Sequence, residues 1–165
     1  MRAACDCVDN PRFPSGTEVR LQPTFTDFDE PPPGNMWKLL PKPWRLTAKV
    51  AGKYQISGGA VWQGNPYGFR QLSIVLNSES TTSSRVLARV KYGASPDAPN
   101  EGPPETTAQI ITTLWNMKKG DYVELFALQN SGNELFIYGK TVAPDTSDEI
   151  PGIHFEMVRV GPASE

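Results

Sequence analysis

The sequence predicts an all-β protein, a sandwich or jelly roll of about eight to ten short strands led by an extended Pro-rich N-terminal arm, and three observations predict it. Sixteen prolines and fourteen glycines in 165 residues interrupt the chain too often for a helical bundle. Between those breakers, Thr, Val, Ile and aromatic residues recur in short runs that alternate with a period of two. About eight to ten such runs at near-regular spacing call for a sandwich or jelly roll. One core suffices for a chain of this length, so a single compact unit with tails is expected.

Residues 1–43 hold PRFPSG, DEPPPGN and PKP, which cannot donate regular ladder hydrogen bonds and read as an arm for docking or assembly. Within it only Glu18–Phe28, with Val19, Leu21, Phe25 and Phe28, has the makings of strands. The jelly-roll domain is expected over residues 44–165. It opens with Trp44, Leu46, Ala48 and Val50 alternating with Arg45, Thr47 and Lys49, the pattern of a sheet with one buried face. The next strand, Lys53–Gln63, aligns Tyr54, Ile56, Gly58, Ala60 and Trp62, and Gly58-Gly59 predicts a bulge or the close approach of another backbone. After the turn at residues 64–68, Leu72, Ile74 and Leu76 fill one face of Gly68–Asn77. Val86, Ala88, Val90 and Tyr92 then fill one face of Ser84–Tyr92. Residues 94–105 are a loop by composition. Thr106–Met117 and Tyr122–Leu128 read as a hairpin closed by KKGD at 118–121. A turn at Asn130–Asn133, a short strand Glu134–Tyr138, a polar loop Val142–Pro151 and a last strand Ile153–Val160 complete the expectation.

A formal charge of -2, with bases scattered among acids, offers no basic face for phosphates and argues against nucleic acid. The start, MRAACDCVDNPRF, lacks the apolar run of about 7–15 residues of a secretory signal, and nothing approaches the roughly 20 apolar residues of a membrane span. The chain therefore reads as soluble, intracellularly made and without membrane insertion. Cys5 and Cys7, one residue apart, supply at most half a tetrahedral metal site. They read as weakly packed thiols or, alternatively, as an interchain crosslink or shared metal site where N-termini meet.

No catalytic site is expected. The one histidine, His154, stands on an expected strand between Ile153 and Phe155 with no nucleophile beside it, which reads as structural. Asp27, Asp29 and Glu30, like Asp145, Asp148 and Glu149, sit in proline-bearing loops without an apolar pocket to separate their pKa values. The second cluster lacks the alternating spacing of a calcium loop, so no metal or cofactor is assigned. Arg85, Arg89 and Lys91, joined by Arg70, form a candidate basic row for an acidic partner or glycan. Such rows are more often solvated sheet faces. Trp62 follows the core register, leaving Tyr67 as the aromatic candidate for a surface contact.

Three segments resemble the C1q/tumour-necrosis-factor-like superfamily. AGKYQISGGAVWQG is similar to its Pro-Gly-x-Tyr-x-Phe strand, KKGDYVELFALQNSG to its x-x-Gly-Asp-x-Val-x-Leu hairpin, and GIHFEMVRVG to its closing strand. The resemblance covers residues 44–161. Met157 stands where the closing strand usually has Gly, and no Gly-X-Y repeat precedes the domain, which speaks against a collagen-tethered architecture. The resemblance implies a ten-stranded jelly roll assembled as a compact trimer around a three-fold axis. Tyr122, Glu124, Phe126 and Leu128, opposite the core face of Val123, Leu125 and Ala127, are the expected interface. Burying a ring such as Phe126 gains roughly 1.5–3 kcal/mol, unless an arm of the same subunit covers it.

The expected function is thus non-enzymatic: a homotrimeric structural or adhesive protein of a virus particle, most readily a bacteriophage. It would serve as a capsid-decorating knob or a tail-associated host-contact protein, made in the host cytoplasm and docked to capsid or tail proteins through the arm. A host-surface glycan or protein is a further expected partner. The alternatives are a secreted, extracellular C1q/TNF-like ligand and a carbohydrate-binding jelly-roll module.

Overall fold

The computed structural model describes residues 2–4, 12–22, 25–28, 44–93, 106–138, 140–142 and 149–163. They are all-β and contain no helix. The strands are β1 (Arg2–Ala4), β2 (Arg12–Phe13), β3 (Val19–Arg20), β4 (Phe25–Phe28), β5 (Arg45–Thr47), β6 (Gly52–Trp62) and β7 (Phe69–Leu76). They continue as β8 (Arg85–Gly93), β9 (Thr107–Met117), β10 (Tyr122–Gln129), β11 (Leu135–Phe136), β12 (Lys140–Val142), β13 (Glu149–Pro151) and β14 (Ile153–Gly161).

Two five-stranded antiparallel sheets form the sandwich. The first runs β4-β1-β14-β6-β9; in the second, β3-β10-β7-β8, β5 also pairs with β10. β5 lies opposite Tyr122–Glu124 and β3 opposite Phe126–Ala127, so two short strands share one edge of β10 end to end. Inward side chains alternate as the sequence pattern requires: Tyr54, Ile56, Ala60, Trp62, Phe155 and Met157 from the first sheet meet Leu46, Leu72, Ile74, Val123 and Leu125 from the second. Met157, fully buried, lies opposite Ile56 and is part of that core.

Several expectations change. β9 and β10 are not a hairpin: β9 pairs with β6 along its whole length, while β10 belongs to the other sheet. The Gly-Asp turn instead steps between layers. Gly120 takes φ +93°, the Asp121 carboxylate accepts from the Lys118 amide at 2.8 Å, and the turn exchanges two backbone hydrogen bonds with Ala48. The hairpin partner of β7 is β8.

Gly58 and Gly59 make no bulge, since β6 pairs with β9 without a register shift. They admit neighbouring side chains, and at Gly59 the backbone carbonyl of Gln109 also comes within 3.0 Å of where a Cβ would sit. A Cβ on Gly58 would lie 2.9 Å from Leu125, and one on Gly59 would collide with the His154 imidazole. The polar loop expected over 142–151 is bounded by a β12–β13 ladder.

The boundary expected at residue 43 does not separate an arm from a domain among the described residues. β1 pairs with β14, β2 with β11 and β3 with β10, while Phe13 and Leu21 are buried in the common core. The reason is apolar content: a segment holding Phe13, Val19 and Leu21 gains more from a sandwich than from water. The Pro-rich stretch 29–43, Cys5, Cys7, Asp145 and Asp148 lie outside the described residues, as do the side chains of Phe25, Phe28 and Glu149.

Candidate functional site

The outer face of β10 is covered within the subunit. Glu124 has no exposed side chain, and its carboxylate meets Arg45 at 3.2 Å and Arg20 at 3.6 Å, with Ser78 donating to its other oxygen. Arg45 also reaches Glu79 at 3.1 Å. The same two guanidinia lie on the aromatic rings: Arg45 is 3.5 Å from the Tyr122 centroid and Arg20 is 5.5 Å from that of Phe126, with Trp44 on its other side at 5.1 Å. Tyr122, Phe126 and Leu128 are consequently half-buried. The expected interface residues are thus on one face, as read, but β3 and β5 shelter that face. Sequence reasoning missed the cause, because Arg20 and Arg45 lie 104 and 79 residues from Glu124 in the chain.

Open apolar surface lies on the first sheet instead. β9 alternates Gln109, Ile111 and Met117 inward with Ile110, Thr112, Leu114 and Asn116 outward. Ile110 is 65% exposed and Leu114 57%, and two strands away Val158 is 48% exposed. The ladder sets these residues in rows, Ile110–Gly59–His154, then Thr112–Ser57–Glu156, then Leu114–Gln55–Val158. At the centre of the face the His154 imidazole occupies the space a Cβ on Gly59 would take, and Ser57 donates to Glu156. Lys53, Leu114, Trp115 and Asn116 line a depression of about 490 Å³ at the β9 edge. The signal was present in the sequence: Ile110-Ile111 and Leu114-Trp115 make β9 apolar on both faces.

The basic row does not form. A register shift between Ile74 and Val75 places Val86 opposite Val75 and Arg85 opposite Leu76, so Arg85 leaves the face of Arg89 and Lys91 and lies 4.8 Å from the Trp115 centroid. Arg89 donates to Ser73 at 3.2 Å, and Lys91 sits 3.7 Å from the Phe69 ring. Arg70, which was to join them, is 1% exposed and points to the sandwich end, where it donates to the carbonyls of Tyr67 at 2.7 Å and Asn65 at 2.8 Å. Burial lowers its pKa. Tyr67 is 66% exposed, whereas Trp62 is fully buried and donates to Gln109 at 2.8 Å. His154 is half-buried on β14, and no group of three or more potential metal ligands occurs among the described residues.

Two five-stranded antiparallel sheets in this order define a TNF-like jelly roll. A solved structure of this kind, the Eiger TNF from S. frugiperda, matches with a TM-score of 0.63 over 99% of this chain and 93% of that chain. Sequence identity is 8%, so the likeness is one of fold. No protein-family model matches the sequence, and no curated protein matches it.

Proposed function

We propose that the chain is a non-enzymatic, homotrimeric structural or adhesive module, displayed on a virus particle as a capsid-decorating knob or tail-associated contact protein of a bacteriophage. The observation that supports assembly is the open apolar face of β9, β6 and β14. Ile110, Leu114 and Val158 are each about half exposed or more, and burying each gains on the order of 1 kcal/mol or more. Three copies meeting there collect that gain in every subunit. Lys53 and Glu156 on the same face supply opposite charges, so approaching copies do not meet charges of one sign only. We therefore propose the axis on the first sheet rather than at Tyr122 and Phe126, which are already half-buried within the subunit.

Leu114→Asp tests the axis. Carboxylates brought together out of water are strongly unfavourable, so the variant is expected to elute as a folded monomer while the wild-type chain elutes as a trimer. A trimeric Leu114→Asp variant with an unchanged melting curve overturns the placement. The virion setting has a separate test: mass spectrometry of purified particles should find the chain in copy numbers divisible by three, and its absence from particles would refute that setting.

A further inference from the structure

Three buried polar side chains gather at one end of the sandwich. Arg70 and Gln129 are cross-strand neighbours, and Gln109 donates to the Arg70 carbonyl at 2.8 Å. Gln129 is satisfied on both ends, donating to Phe13 and Asn133 carbonyls and accepting from Ser131. Burying such groups costs stability unless they are hydrogen-bonded, and here their hydrogen bonds also organise the chain around them. What they organise is the pair of loops at residues 63–68 and 130–134.

The backbone of the turn that bears Tyr67 is held by hydrogen bonds at Asn65, Tyr67 and Phe69. Arg70 binds the carbonyls of Asn65 and Tyr67 from beneath, and no carboxylate partners its guanidinium among the described residues. The Asn65 side-chain oxygen accepts from the Tyr67 amide at 2.8 Å, and that of Asn130 accepts from the Phe69 amide at 2.8 Å. Gly68 takes φ +69°, and a Cβ placed on it would lie 2.2 Å from the Asn130 carbonyl oxygen, so no side chain fits there. Above this fixed base the Tyr67 ring stands 66% exposed.

We infer that this end of the sandwich is a binding site for a neutral glycan, with the Tyr67 ring as the platform for a sugar face. The ring's electron-rich face attracts the weakly positive C–H face of a pyranose. Committing both asparagine oxygens to the backbone leaves their NH₂ groups as donors, and among the described residues these make no other bond. Donors of that kind suit sugar hydroxyls. The turn, Gln63-Gly64-Asn65-Pro66-Tyr67-Gly68, contains no charged residue, and Arg70 beneath it is 1% exposed with donors committed to the turn's own carbonyls, so no exposed charge in the turn balances a sulfate or sialate. The fixed backbone lowers the ordering cost of binding, and a tyrosine has few rotors to freeze. Tyr92, opposite Arg70 on β8 and also exposed, offers a second ring at the same end.

This inference deepens the adhesive part of the proposed function, but the site does not require the trimer. The test applies the full chain to an array of immobilised neutral, sialylated and sulfated oligosaccharides. Neutral glycans are expected to be retained. Tyr67→Ala should lose about tenfold or more in affinity and Tyr67→Phe stay within about threefold, since stacking uses the ring and not its hydroxyl. An unchanged melting curve for both variants keeps the comparison clean, because the side chain is exposed. Retention of no neutral glycan, or equal retention by Tyr67→Ala, overturns the site. Failure here with an intact trimer leaves the assembly standing, and a monomer that still binds neutral glycan does the reverse.

Discussion

Removing the carboxylate of Glu124 by Glu124→Gln keeps the side chain's shape and deletes its charge. Two guanidinia, Arg45 and Arg20, then remain 16% and 28% exposed with their shared partner gone. Breaking a buried ion pair by removing one member costs about 3–5 kcal/mol, because the other charge stays desolvated. Here the lower end applies: Arg45 keeps Glu79, which is 42% exposed and partly screened, and both guanidinia keep their aromatic faces. A loss of about 3 kcal/mol corresponds to a melting-temperature drop of roughly 6–12 °C for a chain of this size. Calorimetry or circular dichroism reads it directly. Glu79→Gln serves as the control and should cost under about 1 kcal/mol. A double-mutant cycle with Arg45→Met should return a coupling of roughly 1 kcal/mol or more, since the groups touch. A drop below 2 °C for Glu124→Gln would refute the claim that this carboxylate pins β3 and β5 to β10.

Further outcomes follow from packing. Phe13→Ala removes a ring whose centroid is 5.7 Å from that of Trp62 and should destabilise by about 3–5 kcal/mol in chemical denaturation. A change under 1 kcal/mol would mean that the N-terminal segment does not complete the core. Gly68→Ala forces a side chain into a left-handed conformation against the Asn130 carbonyl and should cost about 2 kcal/mol or more, with hydrogen exchange rising at the Phe69 amide. Gly59→Ala must displace the His154 ring, shifting its imidazole resonances while the β6–β9 ladder stays protected.

The strands of the sandwich were legible because a sheet buried on one face writes its period into the chain. Gly52–Trp62, Phe69–Leu76 and Ile153–Gly161 each lie within a residue or so of the expected bounds. Which strands pair is not legible where a short turn serves two purposes: KKGD reads as a hairpin turn although it crosses between layers. Long-range charge was hidden too. Glu124 reads as a residue of the subunit interface until Arg20 and Arg45 arrive from remote strands to bury it within the subunit. A single register shift at the start of β8 puts Arg85 and Val86 on the faces opposite to those simple alternation gives them, while Arg89 and Lys91 keep theirs. Tyr67 kept its expected place, but what fixes it, Arg70 beneath the turn, was read as a surface charge.

The central claim, that copies of this chain cover one another's first sheet, is tested most directly by sedimentation equilibrium of the full wild-type chain at micromolar concentration. Obligate interfaces typically bury more than about 2,000 Å² and persist at that concentration. The account predicts a single species of three times the 18.1 kDa chain mass. A single species of 18.1 kDa, with Ile110, Leu114 and Val158 left in water, would contradict it.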